Sequence, residues 1–384
     1  MTFPFDTRVD RPDPVPQPAP AGVPVSGMLN KRFSPEGQSA FAARFEAQKI
    51  AFGPVVFQCV RYAWKRGVLQ SLAEAGATGR TVGELAASGR WSAYALKVVL
   101  ESCLSAGVVL LADGRYVLDK AGWCVLNDAI TQINFDFVQD VCYQGLFELE
   151  RSLDEQRPLG LKTLGDWPTL YEGMSELPAP ARSSWFAFDH HYSDTSLPVV
   201  LPDVLATAPR RVMDIGANTG KFACALLTQA PGVQVHLVDL PQQLALAETR
   251  LAEAGLRERA HLHARDLLDA AAALPGDMDV VWMSQFLSCF SEPVILSILQ
   301  RAVEALAPGG QLLILDTLWD RQRYDIAAYC LINTSPYFTA LASGNSKVYE
   351  SGDYIGLAQQ AGLRLVTARD GIGYCHSLLR FARD

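Results

Sequence analysis

A glycine-containing turn between an apolar run and a predicted helix is the stretch of this sequence best suited to hold a nucleotide or nucleoside. It spans residues 210–227, RRVMDIGANTGKFACALL, and places Asp214 shortly before Gly216 and Gly220. A P-loop needs a hydroxyl directly after its lysine, but Lys221 is followed by phenylalanine. The G-x-G-x-x-G pattern of dinucleotide folds is also missing. A carboxylate at Asp214 is unfavourable beside a pyrophosphate, so the turn indicates a ligand with an ammonium group and no phosphate.

Two further acids follow the next two predicted strands. Asp239 ends VQVHLVDL, nineteen residues after Gly220, where its carboxylate can accept both hydroxyls of a ribose. Asp266, in HARDLLD, can accept the amino group of an adenine. Taken singly, each acid has an ordinary alternative as a helix cap or a solvated loop residue. Together with Asp214 they lie at one edge of a parallel sheet and predict S-adenosylmethionine as the cofactor.

The elements that position these acids are strands alternating with helices from residue 210 onward. The strands are RRVMDIG, VQVHLVDL, AHLHARDL, MDVVWMSQF, GGQLLILDT and LRLVTARD, each after a helical stretch. This alternation predicts an α/β fold with a doubly wound, Rossmann-like parallel sheet. The preceding half is mostly helical. Residues 81–122 read as helix, turn, helix and hairpin, which is a winged-helix pattern.

Four segments follow from this pattern. Residues 1–35 form a Pro-rich, disordered tail, because seven prolines fall within the first 24 residues. The other predicted segments are a helical winged-helix dimerisation domain at 36–125, connecting helices and a substrate lid at 126–200, and a cofactor-binding domain at 201–384.

Composition excludes several classes of function. A formal net charge of −8 repels phosphate backbones, and Arg90 and Lys97 are the only cations across the two winged-helix helices, so nucleic acid is not the expected partner. No apolar run reaches the roughly 18 residues of a membrane helix, and the N-terminal residues MTFPFDTRVD lack the basic and apolar halves of a signal peptide, which predicts a cytoplasmic protein. The eight cysteines are scattered and the histidines lack ligand spacing, so reduced thiols and no metal site are expected.

The quoted motifs resemble those of a known family. The winged-helix half followed by VMDIGANTGKF, VDLP, ARDLLD and ALAPGGQLLILDT is similar, over residues 45–384, to the class I, plant-type small-molecule O-methyltransferases. The resemblance implies a homodimer with interlocked N-terminal halves and a phenolic substrate between the two domains. The expected cofactor-binding residues are Asp214, Gly216, Gly220, Asp239, Leu240, Asp266, Leu267, Ser284 and Ser196.

The sequence departs from this family at the residue that serves as the general base. The family follows its fourth strand with Leu-His-Asp-Trp, whose histidine removes the substrate proton, whereas this chain reads QFLSCFSEP, with Ser288 and Cys289 in place of histidine and aspartate. A serine hydroxyl is too weak a base to replace imidazole. Asp316 matches the family acid that orients the histidine, so it is expected to lack its usual partner.

Replacement bases are sought in WFAFDHHYSDTS and beside the fourth strand. His191, His190 and Cys289 are the candidate catalytic residues, although a His-His pair on a helix is more often a surface or interdomain feature. On a continuous helix, Phe188, Tyr192 and Ser196 would share one face. The expected substrate-binding residues are Phe188, Tyr192, Gln285, Ser288 and Phe338. Tyr324, Tyr329, Tyr337 and Phe338 either form a wall for a flat substrate or pack in helix cores.

Three reactions remain open at this level. The protein methylates a phenol oxygen with a relocated base, methylates the ring carbon ortho to a phenol, or uses the cofactor for a reaction other than methyl transfer. GDWPTLYEGM, WMSQFL, LWDRQRYD and GNSKVYES also resemble methyltransferases of bacterial aryl polyene clusters, which implies a hydroxyphenyl acid, free or bound to a carrier protein, as substrate. The alternative from another class is a winged-helix regulator that senses a metabolite.

Overall fold

The structure is a computed structural model that describes residues 39–193 and 195–383. The chain divides into an N-terminal unit, residues 39–141 and 183–188, and a C-terminal unit, residues 142–182 and 189–383. The predicted Pro-rich tail, residues 1–35, lies outside the described residues. The predicted boundaries at 125 and 200 remain predictions, and the two units divide the chain at other positions.

The N-terminal unit has the predicted helix, helix, hairpin order. Its elements are α1 (Ala40–Ala51), α2 (Gly53–Lys65), α3 (Val68–Ala75), α4 (Val82–Ala86), α5 (Ala93–Ser105), β1 (Val109–Ala112), β2 (Arg115–Leu118), α6 (Lys120–Asn127) and α7 (Ala129–Phe137). Thr81 and Glu84 form a capping box that starts α4. Asp113 and Gly114 both have positive φ, 51° and 76°, which suits the tight turn between β1 and β2.

The C-terminal unit is a seven-stranded sheet with helices. Its elements are α8 (Leu149–Glu155), α9 (Leu170–Gly173), α10 (Ala179–Ser193, with residues in both units), α11 (Leu197–Leu205), β3 (Arg211–Ile215), α12 (Lys221–Gln229), β4 (Gln234–Asp239), α13 (Pro241–Glu253), β5 (Ala260–Ala264), β6 (Met278–Ser284), α14 (Glu292–Ala305), β7 (Leu306–Asp316), α15 (Asp325–Tyr337), α16 (Ser351–Gln360), β8 (Leu363–Ile372) and β9 (His376–Arg383).

The strand order is β5-β4-β3-β6-β7-β9-β8. The prediction of a wholly parallel sheet is wrong at one edge, because β9 was missed and runs antiparallel to both β7 and β8. The physical reason is the short connection: the few residues between β8 and β9 suffice for a hairpin but not for the crossover of a parallel pair. The other pairs, β5-β4, β4-β3, β3-β6 and β6-β7, are parallel as expected.

The topology positions a ligand site at the ends of β3 and β6. After β3 the chain proceeds outward to β4 and β5, and it then returns to pair β6 with the other side of β3. Such a reversal opens a crevice at the carboxyl ends of the strands. The strands at this point are buried on both faces, with Met213 and Trp282 fully enclosed. None of the described helices is long and apolar enough to span a membrane.

Candidate functional site

The glycine turn after β3 depends on its two glycines. Gly216 and Gly220 have φ of 78° and 72°, the left-handed region that side chains other than glycine rarely adopt. A Cβ on Gly216 would overlap the ring of Phe286, and one on Gly220 would lie 3.0 Å from the Cβ of Ala247. The turn is therefore pressed between the end of β6 and α13, with its backbone open toward the crevice.

Asp214 contributes a buried carboxyl group with an unused acceptor. The residue lies in β3 and is 2% exposed, and its Oδ2 has no hydrogen-bond partner among the described residues. Burial, with a further contribution from the charge of Asp239, raises the pKa of Asp214 to about 8. A cationic ligand group would satisfy this oxygen and favour its ionised form.

Asp239 ends β4 and holds the turn from the other side. Its Oδ2 accepts the N–H of Asn218 at 2.7 Å, and its Oδ1 accepts the N–H of Leu240 at 2.7 Å. Burial raises the pKa of Asp239 while these two hydrogen bonds act to lower it. A carboxylate has about four acceptor sites, so two remain for hydroxyls.

Asp266 follows β5 in the loop beyond Asp239. The N–H of Arg265 donates to the backbone oxygen of Asp239 at 3.0 Å, which ties the two strand ends together. Asp266 is exposed and accepts the N–H of Leu268 at 2.9 Å, whereas Leu267 is buried in the core. Structurally, Asp266 is both a loop-capping acid and a group available to a ligand.

The expected helical face of Phe188, Tyr192 and Ser196 does not exist. Helix α10 ends at Ser193, and Ser196 precedes α11 as a separate, buried residue. The proline at the second position of α11 explains the break, because inside a continuous helix its ring would clash with the carbonyl group four residues earlier and it has no N–H to donate to that group. Phe188 stacks on Phe137 within the N-terminal unit, with ring centroids 4.0 Å apart. Tyr192 lies in α10.

The backbone just after β6 is strained, and Asp316 at the end of the neighbouring strand β7 already accepts hydrogen bonds from the protein. Gln285 has a φ of 48°, unusual for a side chain of its kind, and its N–H donates to Leu315 at 2.8 Å. Asp316 accepts hydrogen bonds from the hydroxyl of Tyr354 and the N–H of Thr317, both at 2.8 Å, and from the N–H of Ser288. Burial raises the pKa of Asp316 to about 6, although these hydrogen bonds act to lower it. The acid that was expected to lack a partner is thus hydrogen-bonded by Tyr354.

Cys289 is poorly suited to act as a base. It ends the short helical turn Leu287–Cys289 after β6, and burial raises the pKa of its thiol to about 12. The neighbouring hydroxyl belongs to Tyr171 of α9, whose pKa burial also raises well above the usual value. Sequence reasoning missed Tyr171, although it lies in GDWPTLYEGM, a stretch already noted for its resemblance to aryl polyene methyltransferases.

The two histidines of α10 have other neighbours. Nδ1 of His190 lies 2.9 Å from Nζ of Lys221, so the lysine ammonium donates to the nitrogen that a base would need. The ring of His191 stacks on Tyr374, with centroids 4.7 Å apart. The charge of Asp189 raises the pKa values of both Tyr171 and Cys289, so this residue of α10 lies near them. His191 is two residues further along, about 200° round the helix, and therefore lies on a different side of α10 from Asp189. These contacts argue against a base role for either histidine, which remains untested.

The four aromatic residues suggested as a substrate wall differ in burial. Tyr324 and Tyr329 are 57% and 55% exposed, which excludes core packing for these two residues, and their part in a substrate wall stays a prediction. Tyr337 is buried, and Phe338 packs edge-on against it with centroids 5.2 Å apart. Tyr324 is the extended residue that precedes α15, and Tyr329 lies on an exposed side of that helix. Within residues 39–193 and 195–383, no group of three potential ligands could hold a metal ion.

Comparison with known proteins connects this geometry with a chemistry. Residues 44–116 match the family model of the Dimerisation2-like domain, and residues 213–312 match that of a methyltransferase domain. The L-tyrosine C(3)-methyltransferase of Streptomyces lavendulae is 23% identical, over 79% of this chain and 82% of that protein. The aclacinomycin 10-hydroxylase RdmB of Streptomyces purpurascens is 31% identical over 68% of this chain and 65% of that protein.

Among solved structures, the S-adenosylmethionine-dependent methyltransferase SibL in its apo form superimposes with a TM-score of 0.64 at 26% identity, covering 87% of this chain and 98% of that one. The chain carries a methyltransferase domain, and its homologues are class I S-adenosylmethionine-dependent methyltransferases. This methyltransferase carries the family's dimerisation-type domain and uses its cofactor, S-adenosylmethionine.

The residues of this methyltransferase fit that cofactor. The unpartnered Oδ2 of Asp214 suits an ammonium group, and the free acceptor sites of Asp239 suit the two hydroxyls of a ribose. Ser284 ends β6 at the same edge of the sheet. The methyltransferase departs from its family where the substrate proton is handled, at Ser288 and Cys289.

Proposed function

We propose that this methyltransferase transfers a methyl group to the ring carbon ortho to the hydroxyl of a small phenolic substrate. When bound, S-adenosylmethionine supplies the sulfonium methyl group for this reaction. The observation that carries the proposal is the end of β6, where the family base is replaced by Ser288 and by a Cys289 thiol with a pKa of about 12. The name of the similar L-tyrosine C(3)-methyltransferase, matched over 82% of its length, supports carbon as the acceptor.

The chain's residues supply binding and orientation. Asp214 pairs with the cofactor ammonium group, Asp239 accepts hydrogen bonds from the ribose, and Asp266 accepts one from the adenine. The turn between Gly216 and Gly220, which packs against Phe286 and Ala247, lies directly after Asp214 and presents its backbone to the cofactor. Most of the catalysis in such a displacement comes from holding two reactants in line, which a base-free site can provide.

A substrate panel tests the acceptor. The purified protein is incubated with S-adenosylmethionine and with hydroxyphenyl acids, including L-tyrosine, and the products are analysed by mass spectrometry and NMR. We expect products heavier by one CH₂ unit, with the new methyl on the ring carbon next to the hydroxyl. Methyl ethers alone would contradict carbon transfer. The same acids loaded on a carrier protein show whether delivery by a carrier raises the rate.

A second candidate function has one observation in its favour. The similar RdmB is named a hydroxylase, so a reaction other than methyl transfer is conceivable for this site. The two functions differ in stoichiometry, because methyl transfer releases one S-adenosylhomocysteine for each product. Product formation without S-adenosylhomocysteine release, and with a new hydroxyl group, would favour the second.

The proposed assembly is a homodimer formed through the N-terminal unit. Helix α1 buries none of its residues in the single chain, and Phe41, Phe45, Ile50 and Phe52 are exposed on α1 and just after it. Apolar surface of this extent is typical of an obligate interface. Light scattering should give twice the chain mass at micromolar concentration, and Ile50→Glu should shift it toward the monomer. A wild-type monomer would contradict this assembly.

A further inference from the structure

Tyr171 and Cys289 place two uncharged hydrogen-bond donors side by side at the carboxyl edge of the sheet. Tyr171 comes from α9, and Cys289 comes from the turn that follows β6. The tyrosine hydroxyl is buried and has no hydrogen bond of standard geometry to any residue in the described ranges. The thiol lies next to it. A thiol is a weak hydrogen-bond partner, so its contact with Cys289 leaves the buried hydroxyl without a strong acceptor, which an oxygen of a bound ligand would supply.

Close packing, rather than hydrogen bonding, holds the Tyr171 side chain in place. The ring of Trp167 lies so close to Gly165 and Gly173 that a Cβ on either glycine would overlap it. Gly173 is the last residue of α9, so this contact fixes the helix that carries Tyr171. The same helix packs against the segment Phe338–Ala342. The backbone that carries Tyr171 is thereby held in place before any substrate binds.

Both groups keep their protons at neutral pH. Burial raises the pKa of Cys289 to about 12 and that of Tyr171 well above its ordinary value. The charges of Asp189, Asp316 and Asp239 act in the same direction, and so does the nearby Tyr337. The nearby carboxylates would also disfavour an ionised phenol of the substrate, unless hydrogen-bond donors contacted its oxygen directly.

We propose that Tyr171 and Cys289 donate hydrogen bonds to the phenol oxygen of the substrate and thereby direct methylation to the neighbouring ring carbon. The inference rests on the function proposed above. An ionised phenol has two nucleophilic positions, its oxygen and the ortho carbon. Hydrogen bonds to the oxygen occupy its lone pairs and lower its reactivity, while the ring carbon stays free to attack.

The step balances without a protein base. The phenol gives its proton to water as the two donors stabilise the phenolate. The ortho carbon then bonds to the methyl carbon while the carbon–sulfur bond breaks, with its electron pair remaining on sulfur. The ring carbon then loses its proton to water, which restores the aromatic ring as a phenolate, and the oxygen takes one proton back from water to give the phenol. One S-adenosylhomocysteine and one proton accompany each methylated product.

The first test measures the ratio of ring-methylated to O-methylated product in Tyr171→Phe, Cys289→Ala and the double variant. We expect the ratio to fall at least about tenfold in Tyr171→Phe and further in the double variant, the scale of one lost hydrogen bond to a charged group. The affinity for S-adenosylhomocysteine should not change, and the melting temperature should stay equal or rise. Tyr374→Phe is the matched control, because it removes one hydroxyl from an exposed tyrosine of the same unit.

The second test needs no turnover. The probe is 3-fluoro-4-hydroxyphenylacetate bound together with S-adenosylhomocysteine, and its ionisation is followed by fluorine NMR as the pH is varied. We expect the pKa of the bound phenol to lie about one unit higher in Tyr171→Phe than in wild type, because a donor to the phenolate is lost.

The outcomes separate this inference from the proposed function. If the wild type makes ring-methylated product and both variants keep its product ratio and phenol pKa, the donor role is wrong while the function stands. A joint fall in melting temperature and cofactor affinity would show that Tyr171 is structural and would also overturn the role. If the wild type makes no ring-methylated product, the proposed function fails, and with it the directing role.

Discussion

The carboxyl groups of Asp214 and Asp239 interact across the paired strands β3 and β4, and Asp239 accepts a hydrogen bond on each of its oxygens whereas Oδ2 of Asp214 accepts none from the described residues. Asp214 therefore holds a proton in the free protein up to a pH of about 8. The two carboxyl groups therefore suit a ligand that carries a positive charge, for Asp214, and neighbouring hydroxyl groups, for Asp239.

Binding of S-adenosylhomocysteine should release a proton from Asp214. Its pKa of about 8 in the free protein falls when the ligand ammonium group pairs with it, so the bound form holds fewer protons below that pH. Affinity should rise as the pH increases from 6 toward about 8. Calorimetry in buffers of different ionisation enthalpy measures the protons released. Asp214→Asn should abolish the release, and an unchanged release in that variant would show that another group is responsible.

Asp239→Ala should weaken binding of S-adenosylhomocysteine by at least about tenfold, because a charge-assisted hydrogen bond contributes roughly 1.5 to 3 kcal/mol. Calorimetry measures the change. Asp266→Ala is a useful comparison and should cost less, since Asp266 is exposed while Asp239 is half-buried. An unchanged dissociation constant in Asp239→Ala would mean that the ribose lies at another strand end.

Gly216→Ala should destabilise the fold by more than about 2 kcal/mol, because the new Cβ meets both an unfavourable φ of 78° and the ring of Phe286. Chemical denaturation gives the free energy of unfolding. Gly232→Ala is the control, since a Cβ there meets nothing within 4 Å and its φ is ordinary. Equal effects in the two variants would show that the turn adapts freely.

His190→Ala and His191→Ala should each keep at least about one tenth of wild-type turnover. Losing a general base typically costs about 10² to 10⁴, but His190 accepts from Lys221 and His191 stacks on Tyr374. Steady-state kinetics at several pH values measures the effect. A hundredfold loss that recovers as the pH approaches the phenol's own pKa would restore the base role predicted from the sequence.

The stability of the fold should fall between pH 6.5 and pH 4. Burial lowers the pKa of His236 on β4 to about 4, with the nearby His261 and His263 adding to the effect. The unfolded chain binds more protons than the folded one in this interval, so acid favours unfolding, by roughly 2 kcal/mol at pH 5 for such a group. His236→Gln should flatten the dependence measured by denaturation. Some dependence will remain, because His376 is also held neutral, with a pKa of about 4.

The cofactor side of the site was largely readable from the sequence, because its information is local. A strand, a glycine turn and an acid at the strand end follow each other along the chain, and parallel pairing then places successive strand ends together. Asp214, Asp239 and the two glycines needed no long-range contact to be recognised. The absence of the family base was visible for the same reason, as a change of residue type at Ser288 and Cys289.

Only the tertiary structure shows which groups lie beside the position of the missing base. Tyr171 and Cys289 are far apart in the sequence, and no periodicity or spacing predicts that packing of α9 brings them together. The pairing of His190 with Lys221, the hydrogen bond from Tyr354 to Asp316 and the antiparallel β9 have the same origin. Burial and proton affinity depend on everything that surrounds a side chain, so residue type alone could not tell that the Cys289 thiol stays protonated as a donor.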